Sequence, residues 1–388
     1  MTPGARVQAA IEVLDAMAGG LAAEQALTRW ARGARYAGSK DRAAVRDHVF
    51  SVLRTRRSCA ALGGGETGRA LMLGHLRVEG GDPEAMFTGE GHAPAPLTAE
   101  DRAAGRAPTP EEARDLPDWL WQRFEAGLGA QAAADAAEAL RHRAPVCLRH
   151  NPRMMSISQV IDMLLKDGVS TIPVAEMDGA LHVTEGARRV AQSTAFREGH
   201  VELQDASSQA AMAALPVPEG ARVLDFCAGG GGKVLALAAR HEATWFAHDA
   251  APDRMRDLPA RAARAGVKVT QLDQGAVTEA APFDVVLCDV PCSGSGTWRR
   301  TPEAKWALTP ERLHALCDTQ RNILEHVQAL LRPGGLLAYS TCSVLAEENE
   351  AQVAGFEAAY PGWTREDTRR WPISDIGDGF YLATLRKR

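Results

Sequence analysis

The sequence predicts an α/β protein with a mostly parallel sheet in its C-terminal half, preceded by a small α+β module and an all-helical N-terminal module. Three observations support this prediction. Apolar residues recur at helical spacing near the N-terminus, helix-like and strand-like segments mix in the middle, and short apolar runs alternate with helical stretches after Pro218. The expected boundaries are 1–78 for the helical module, 79–117 for a linker, 118–203 for the α+β module and 204–388 for the α/β domain.

Length and composition set the broad class of the protein. With 388 residues the chain is longer than one hydrophobic core requires, so several domains are expected. No apolar run approaches the ~18 residues of a membrane span and no signal segment opens the chain, so a cytoplasmic protein without membrane contact is expected. The seven cysteines lack the CxxC spacing of zinc sites. We therefore expect free thiols and no bound metal. The protein is also expected to be a monomer.

The net charge of −5 argues against nucleic-acid binding through bulk charge, because phosphate contacts need local lysine and arginine. Any contact with RNA must then come from clusters of basic residues. The candidates are Arg54, Arg56 and Arg57; Arg141, Arg143 and Arg149; Arg299 and Arg300; and Arg386, Lys387 and Arg388. Each cluster alone is more typical of a solvated surface than of a binding site.

The helical module is predicted from apolar residues at helical spacing. They are Val7, Ala10, Ile11 and Leu14, then Val45, Val49, Val52 and Leu53. Gly19, Gly20 and Gly38 interrupt the pattern, and Ser39 or Asp41 can cap the helix that follows. The linker is rich in Gly, Pro and acidic residues. In the α+β module, helices are expected at 119–128 and 157–165 and strands at 145–149 and 201–204.

The C-terminal domain alternates strands and helices, which predicts a parallel sheet covered on both faces. The expected strands are 223–226, 244–247, 267–272, 285–288 and 336–339, and helices are expected at 234–240 and 311–331. Ligands of such sheets bind at the carboxyl ends of the strands.

The loop after the first of these strands, 225–233, contains four consecutive glycines, which let the backbone approach a ligand closely. It lacks the GxGxxG spacing and the GK[ST] ending, so a nucleoside triphosphate is disfavoured. Asp249 and Asp273 end the next two strands, where a carboxylate can accept ribose hydroxyls. Asp249 can instead cap a helix and Asp273 can be a loop carboxylate. Together the three strand ends favour S-adenosylmethionine as the cofactor.

Two cysteines end the last two strands, Cys292 after Asp289-Val290-Pro291 and Cys342 after Thr341. A thiolate is useful beside a methyl donor, because its addition to carbon 6 of a pyrimidine makes carbon 5 nucleophilic. Asp289 can supply an acid near nitrogen 3 of the ring. Spacing alone does not decide which cysteine attacks. Cys227, Cys288 and Cys317 can equally be buried apolar residues.

The segment from Gly38 to Arg42, continuing through Val49, Leu53 and Arg54, resembles the NusB-like RNA-binding domain of some ribosomal RNA methyltransferases. This resemblance covers about fifty residues, and an ordinary helical bundle without an RNA role is the alternative.

Several motifs in order resemble the Sun/Nop family of RNA cytosine-5 methyltransferases, its bacterial RsmB-like branch in particular. They are Asp225 to Lys233, Asp289 to Gly294, Ser340 to Ser343 with Glu347 to Glu350, Gln204-Asp205 with Ser207 and Ser208, Arg300 to Glu303 before Trp306, and Asp378 to Tyr381. The resemblance extends over most of residues 118–388. It implies a Rossmann-like class I methyltransferase domain that methylates carbon 5 of a cytosine in RNA.

The resemblance also implies roles for individual residues. Cys342 becomes the covalent nucleophile, Cys292 assists release of the product, and Lys233 and Asp289 contact the target cytosine. The residues expected at the cofactor are Cys227, Ala228, Gly229, Gly230, Gly231, Gly232, Lys233, Asp249, Arg254, Asp273 and Asp289.

Two positions depart from the family pattern, Gly230 in place of a proline and Val234 in place of a threonine or serine. The additional glycine loosens the loop, so weaker cofactor binding is expected. Ribosomal RNA of the small subunit is the favoured substrate because the N-terminal module resembles a NusB-like domain. A tRNA methyltransferase and a non-catalytic RNA-binding assembly factor are the alternatives.

Overall fold

The computed structural model describes residues 1–175 and 177–388. The chain forms two compact units, one of residues 1–143 with 298–307 and one of residues 144–297 with 308–388. The α-helices are α1 (Pro3–Ala18), α2 (Ala23–Gly33), α3 (Ser39–Arg54), α4 (Arg56–Gly63), α5 (Gly68–Val78), α6 (Pro83–Met86), α7 (Ala99–Ala103), α8 (Pro110–Ala113), α9 (Asp118–Leu128), α10 (Ala130–Leu140), α11 (Ile157–Lys166), α12 (Thr194–Arg197), α13 (Ala206–Ala214), α14 (Gly232–Ala238), α15 (Leu258–Arg264), α16 (Gln274–Ala280), α17 (Glu303–Ala307), α18 (Pro310–Val327) and α19 (Glu350–Ala359). The strands are β1 (Cys147–His150), β2 (Ser170–Pro173), β3 (Ala180–Glu185), β4 (Val201–Leu203), β5 (Arg222–Asp225), β6 (Thr244–Ala247), β7 (Val269–Gln271), β8 (Phe283–Asp289), β9 (Leu331–Thr341), β10 (Trp363–Trp371) and β11 (Phe380–Lys387).

The first unit is helical, as the sequence predicts for the N-terminus. All eight apolar residues predicted at helical spacing are buried in one cluster. Helix α3 begins at Ser39, and the Asp41 side chain accepts a hydrogen bond from Gly38 N at 3.3 Å. The N-cap residue is therefore Gly38, not Ser39 or Asp41, and Asp41 supports the helix start from the third helical position.

The segment 298–307 belongs to this helical unit although it lies far along the chain. Lys305 is buried, and its Nζ donates a hydrogen bond to Arg54 O at 2.8 Å at the end of α3. Trp306 Nε1 donates to Leu53 O at 2.7 Å. Burial lowers the pKa of Lys305 to about 7. These contacts fasten the segment to α3.

The second unit contains two sheets. The smaller sheet has four antiparallel strands in the order β2-β3-β1-β4. The larger sheet has the order β10-β11-β9-β8-β5-β6-β7, in which β9 to β7 run parallel and β10 and β11 are antiparallel. The strand order reverses between β5 and β8, which is where open α/β sheets bind ligands.

Alternate residues of the large sheet face two separate apolar clusters. Val223, Val285 and Leu287 pack in one cluster with residues of α13, α14 and α15. Leu224, Val286 and Cys288 pack in the other with residues of α18 and α19. Both faces of the sheet are therefore covered, which explains the nearly continuous apolar runs in its strands.

The five predicted strands of this domain are present as β5 to β9. The predicted helix 311–331 ends earlier, at Val327, because β9 already begins at Leu331. The sequence analysis did not predict β10 and β11, which extend the sheet beyond β9.

Candidate active site

Strands β8 and β9 bring the two cysteines together. They are parallel neighbours, and Asp289 at the end of β8 is in register with Ser340 near the end of β9. Each cysteine follows its strand within a few residues, so both loops start from the same edge of the sheet. The two sulfur atoms, Cys292 Sγ and Cys342 Sγ, are 3.4 Å apart. Both side chains are partly exposed.

Lys233 and Asp289 form an ion pair in the same pocket. Lys233 Nζ lies 2.5 Å from Asp289 Oδ2, and Ser340 Oγ donates to Asp289 Oδ1 at 3.2 Å. Burial alone would lower the pKa of Lys233, but the Asp289 carboxylate raises it, so the ammonium form is favoured. The structure thus joins the two residues that the resemblance assigns to the cytosine.

The two cysteines have different proton affinities. The hydrogen bond that Cys342 shares with Cys292 lowers the pKa of Cys342, with Lys233 acting in the same direction, although burial and Asp289 oppose this effect. The same hydrogen bond raises the pKa of Cys292, and burial raises it further. Of the two sulfur atoms, Cys342 Sγ is therefore the one that carries the negative charge more readily.

The glycine loop lies between β5 and α14. Gly231 has a φ of +82°, and a Cβ atom there would lie 2.2 Å from Leu258 Cδ1, so the position requires glycine. Gly229 N donates to Asp249 Oδ2 at 2.8 Å, and Arg254 Nη1 lies 3.2 Å from the same oxygen. Asp249 and Arg254 therefore border the loop.

Asp225 is a functional candidate that the sequence analysis did not single out. It is buried at the end of β5, and its Oδ2 accepts a hydrogen bond from Val234 N at 3.2 Å. Its Oδ1 is buried without a partner in the described part of the chain. The signal in the sequence was an acid directly before the glycine loop. An unsatisfied acceptor beside a backbone cradle that only glycine permits fits a cofactor with polar groups, such as S-adenosylmethionine.

The other predicted site residues make fewer contacts with the glycine loop and the cysteine pair. Asp273 is exposed, and its Oδ1 caps α16 by accepting from Ala276 N at 2.8 Å. Cys227 lies on the glycine loop and is partly exposed, whereas Cys288 and Cys317 are buried. Burial raises the pKa of Cys317 to about 11, so that thiol is protonated at neutral pH.

The two departures from the family pattern have local structural explanations. Arg261 donates a hydrogen bond to Gly230 O and pairs with Glu202 at 2.8 Å. A Cβ atom at Gly230 would lie 2.8 Å from Arg261 Nη1, so glycine leaves room for this guanidinium. Val234 is fully buried in the core beneath the sheet, where its side chain adds apolar contact but cannot donate a hydrogen bond.

Most of the predicted basic clusters are used within the fold. Arg54, Arg149 and Arg299 are buried. Salt bridges join Arg56 to Glu66, Arg57 to Asp118, Arg141 to Asp115, Arg143 to Asp47 and Arg386 to Glu366. Lys387 Nζ donates to backbone carbonyls, and Arg388 Nε donates to Thr364 Oγ1. Arg300 remains exposed.

No helix in residues 1–175 and 177–388 is long and apolar enough to cross a membrane. The same residues contain no group of three or more His, Cys, Asp or Glu side chains arranged to hold a metal ion.

Comparison with known proteins places this chain in a family. A family model described as "16S rRNA methyltransferase RsmB/F" matches residues 212–386, and one for the "Methyltr_RsmF/B-like, ferredoxin-like domain" matches residues 116–190. The "Ribosomal RNA small subunit methyltransferase B" of Citrobacter koseri is 34% identical over 71% of this chain and 68% of its own length. The protein of the same name from Xanthomonas campestris pv. campestris is 33% identical over 74% of this chain and 70% of its own.

Solved structures are similar in fold. PH0851 covers 100% of this chain and 99% of its own with a TM-score of 0.74 at 23% identity. A methyltransferase homologue from Pyrococcus horikoshii covers 70% of this chain and 95% of its own, with a TM-score of 0.60 at 26% identity. The family model, the relatives and the shared fold agree, and the chain belongs to the RsmB/F family of methyltransferases, the RsmB-like branch of the Sun/Nop family.

Proposed function

We propose that this enzyme transfers a methyl group to carbon 5 of a cytosine in RNA, with small-subunit ribosomal RNA as the substrate and Cys342 as the covalent nucleophile. The observation that carries the proposal is the 3.4 Å contact between Cys292 Sγ and Cys342 Sγ beside the Lys233–Asp289 ion pair. Two adjacent thiols of different proton affinity, next to a paired acid and base, suit a reaction that forms and then breaks a carbon–sulfur bond.

The nucleophile is needed because carbon 5 of cytosine does not attack a methyl sulfonium unaided. Cys342 Sγ adds to carbon 6, and the electron pair of the 5,6 double bond then becomes available at carbon 5. After methylation, carbon 5 loses its proton to a base, the double bond re-forms and the carbon–sulfur bond breaks. Cys292 is placed to assist this last stage because its sulfur atom touches the leaving sulfur atom.

Lys233 and Asp289 are proposed to hold the base during the addition. Thiolate addition at carbon 6 places negative charge on the pyrimidine, mainly toward nitrogen 3 and the exocyclic oxygen. A positively charged lysine held by a carboxylate can stabilise that charge, because it is oriented before the reaction begins. The 2.5 Å contact keeps the Lys233 ammonium beside Asp289 at the end of β8.

The cofactor of the enzyme is S-adenosylmethionine, which supplies an electrophilic methyl group on a sulfonium. The residues proposed to hold it are those of the glycine loop from Cys227 to Lys233, together with Asp249, Arg254, Asp273 and Asp289. Asp249 is the best supported of the acids, because it is buried and contacts Gly229 N. Asp273 is exposed at the next strand end and also caps α16.

Two arguments support RNA as the substrate. The relatives named above are ribosomal RNA small subunit methyltransferases, and the N-terminal unit is helical, as a NusB-like RNA-binding domain would be. The target cytosine must be unpaired or flipped, because a thiolate cannot reach carbon 6 inside a stacked helix. Such a substrate, together with seven free cysteines, is consistent with a cytoplasmic enzyme, which we propose acts as a monomer.

A basic surface formed by α2, the turn after it and the first turn of α3 is proposed to contact RNA phosphates. Residues 28–40 contain four cations, Arg29, Arg32, Arg35 and Lys40, and no acid. All four are exposed, and no salt bridge joins them to an acid within the described ranges. Tyr36 between them is 72% exposed and can stack on an unpaired base. We call these five residues the α2 basic face.

The proposal is tested by methyl transfer from labelled S-adenosylmethionine to small-subunit ribosomal RNA, followed by nucleoside analysis. We expect 5-methylcytosine, and we expect Cys342→Ala to lose at least about 10³-fold in rate because the covalent step is removed. Cys59→Ala, which changes a buried thiol of the helical unit, is the matched control and should stay active.

Three outcomes would contradict parts of the proposal. A different methylated nucleoside would exclude the cytosine-5 reaction. Exclusive methylation of tRNA would exclude the ribosomal substrate. Tight RNA binding without any methyl transfer would favour the assembly-factor alternative.

A further inference from the structure

Glu348 is a buried carboxylate that contacts both cysteine loops. It ends the short 3-10 turn Ala346–Glu348, and its side chain is inaccessible to solvent. Its Oε1 accepts a hydrogen bond from Ser293 N at 2.7 Å, and its Oε2 accepts one from Ser293 Oγ at 2.5 Å. Ser343 Oγ also donates to Oε2 at 2.5 Å. Ser293 directly follows Cys292, and Ser343 directly follows Cys342.

The carboxylate is held from a third direction by helix α18. Gln320 Nε2 donates to Glu348 Oε1 at 3.0 Å and also to Pro291 O at 2.9 Å. Tyr339 OH donates to the backbone carbonyl of Glu348 at 2.5 Å. Gln320 and Tyr339 are both fully buried. The Glu348 side chain is therefore fixed in place, and it ties the loop after β8 to the loop after β9.

Within residues 1–175 and 177–388, no salt bridge joins Glu348 to a cation. A buried carboxylate is costly unless its oxygens accept hydrogen bonds, and here both oxygens do. Three of these four hydrogen bonds come from the residues that follow the two cysteines, so Glu348 fixes the two cysteine loops relative to each other.

The thiols need different protonation states for the proposed reaction. Cys342 must be a thiolate to attack carbon 6, whereas Cys292 must keep its proton until product release. The groups that act on the two thiols include Lys233 from α14, Asp289 from β8, Tyr339 from β9 and Glu348 from the 3-10 turn, and the Thr297 side chain shares a hydrogen bond with Cys342. Lys233 acts on Cys342, and Glu348 acts on Cys292.

We propose that Glu348 is a positioning residue, which locks the Cys292 loop against the Cys342 loop so that Cys292 donates the hydrogen bond between the sulfur atoms and Cys342 accepts it. Glu348 does not touch the substrate in this role. The inference rests on the proposed function for its catalytic consequence, but the bias between the two thiols is a property of the free enzyme. The negative charge of Glu348 adds to the hydrogen bond and to burial in raising the pKa of Cys292.

Glu348→Gln tests the proposal because it removes the charge while nearly conserving volume, and its amide oxygen can still accept a hydrogen bond from Ser293 N. In the free enzyme, brief treatment with iodoacetamide and peptide mass spectrometry measures which thiol reacts. We expect wild-type enzyme to be alkylated mainly at Cys342. In Glu348→Gln the ratio of Cys342 to Cys292 labelling should fall at least fivefold, since the charge that favours a protonated Cys292 is lost.

The same variant should lower kcat for methyl transfer about 10- to 100-fold, with little change in KM for S-adenosylmethionine, because the loops carry the reacting thiols and not the cofactor. Ser293→Ala, which keeps the Glu348 charge and the contact with Ser293 N, should have a smaller effect in the same direction and serves if Glu348→Gln folds poorly. Glu350→Gln changes an acid at the surface of α19 and should match wild type in both measurements.

An unchanged labelling ratio in folded Glu348→Gln and in Ser293→Ala would overturn the inference, whatever the activity. Loss of kcat with an unchanged ratio would likewise overturn it, since Glu348 would then act without biasing the thiols. Failure of the proposed function has a different signature, because wild-type enzyme would then transfer no methyl group to cytosine while the labelling ratio still responded to Glu348.

Discussion

At the scale of single residues, Asp225 is an acid whose ionisation is disfavoured by its burial in the cofactor site. Its carboxyl group is fully buried and receives a hydrogen bond from Val234 N, but its Oδ1 has no partner among the described residues. Burial, assisted by the nearby Asp289 carboxylate and opposed by Lys233, raises the pKa of Asp225 to about 7. Near neutral pH the free enzyme therefore holds Asp225 partly protonated.

The sign of the resulting pH dependence follows from linkage. An unfolded aspartate ionises near pH 3.9, so the unfolded chain loses this proton before the folded enzyme does. The free energy of unfolding is therefore not reduced by Asp225 below about pH 4. It falls as the pH rises from there through about 7, because the folded enzyme must then ionise a buried carboxyl group. The loss corresponds to a few kcal/mol, about 1.4 kcal/mol for each pH unit between the two pKa values.

Asp225→Asn should remove this loss, because asparagine is neutral and still accepts a hydrogen bond from Val234 N. We expect the free energy of unfolding of the cofactor-free variant, relative to wild type, to rise by roughly 1–3 kcal/mol between pH 5 and pH 8. Urea unfolding at the two pH values measures the difference. Parallel pH dependence in the two proteins would show that Asp225 is ionised throughout.

At the scale of secondary-structure elements, the strand ends determine the site. Because β5, β6, β8 and β9 are parallel, their carboxyl ends meet at one edge, and the sequence pattern was sufficient to predict this. It correctly placed the glycine loop and the two cysteine loops on neighbouring strands. The sequence could not give the 2.5 Å contact between Lys233 and Asp289, because that depends on how α14 packs against the sheet.

Strands β10 and β11 were not predicted, because their sequences lack a clear strand pattern. β10 has charged side chains at most positions and is exposed along nearly its whole length, so no apolar alternation reveals it. It is fixed instead by pairing with β11 from Trp363 to Trp371. β11 is buried along most of its length, but its short apolar run follows a loop and could not be assigned to the edge of a sheet by pattern alone.

The α2 basic face gives a prediction at the same scale. Replacing Arg29, Arg32 and Arg35 together by glutamine should weaken RNA binding by about tenfold or more at low salt and reduce the slope of log K against log salt by up to about 3. Filter binding at several salt concentrations measures both quantities. A matched triple change of Arg365, Arg369 and Arg370 on β10, which pair with acids, should alter neither. Equal losses in both variants would contradict a specific role for α2.

At the scale of the whole molecule, chain order and spatial order differ. Residues 298–307 follow the Cys292 loop in sequence but belong to the helical unit, where Lys305 and Trp306 bond to the end of α3. Domain boundaries inferred from composition assume that each unit is continuous, so no sequence pattern could reveal this excursion. The sequence shows only a lysine next to a tryptophan, which is equally typical of a surface turn, and the burial of Lys305 is seen only in the structure.

The central claim concerns the whole reaction, in which Cys342 forms the covalent bond and Cys292 releases it. The most direct measurement is to incubate Cys292→Ala with small-subunit ribosomal RNA and S-adenosylmethionine and to search for a covalent complex on a denaturing gel, with the linked residue identified by mass spectrometry. We predict an RNA adduct on Cys342, which disappears in the double variant Cys292→Ala, Cys342→Ala. An adduct on any other residue, or full methyl transfer by Cys342→Ala, would contradict the account.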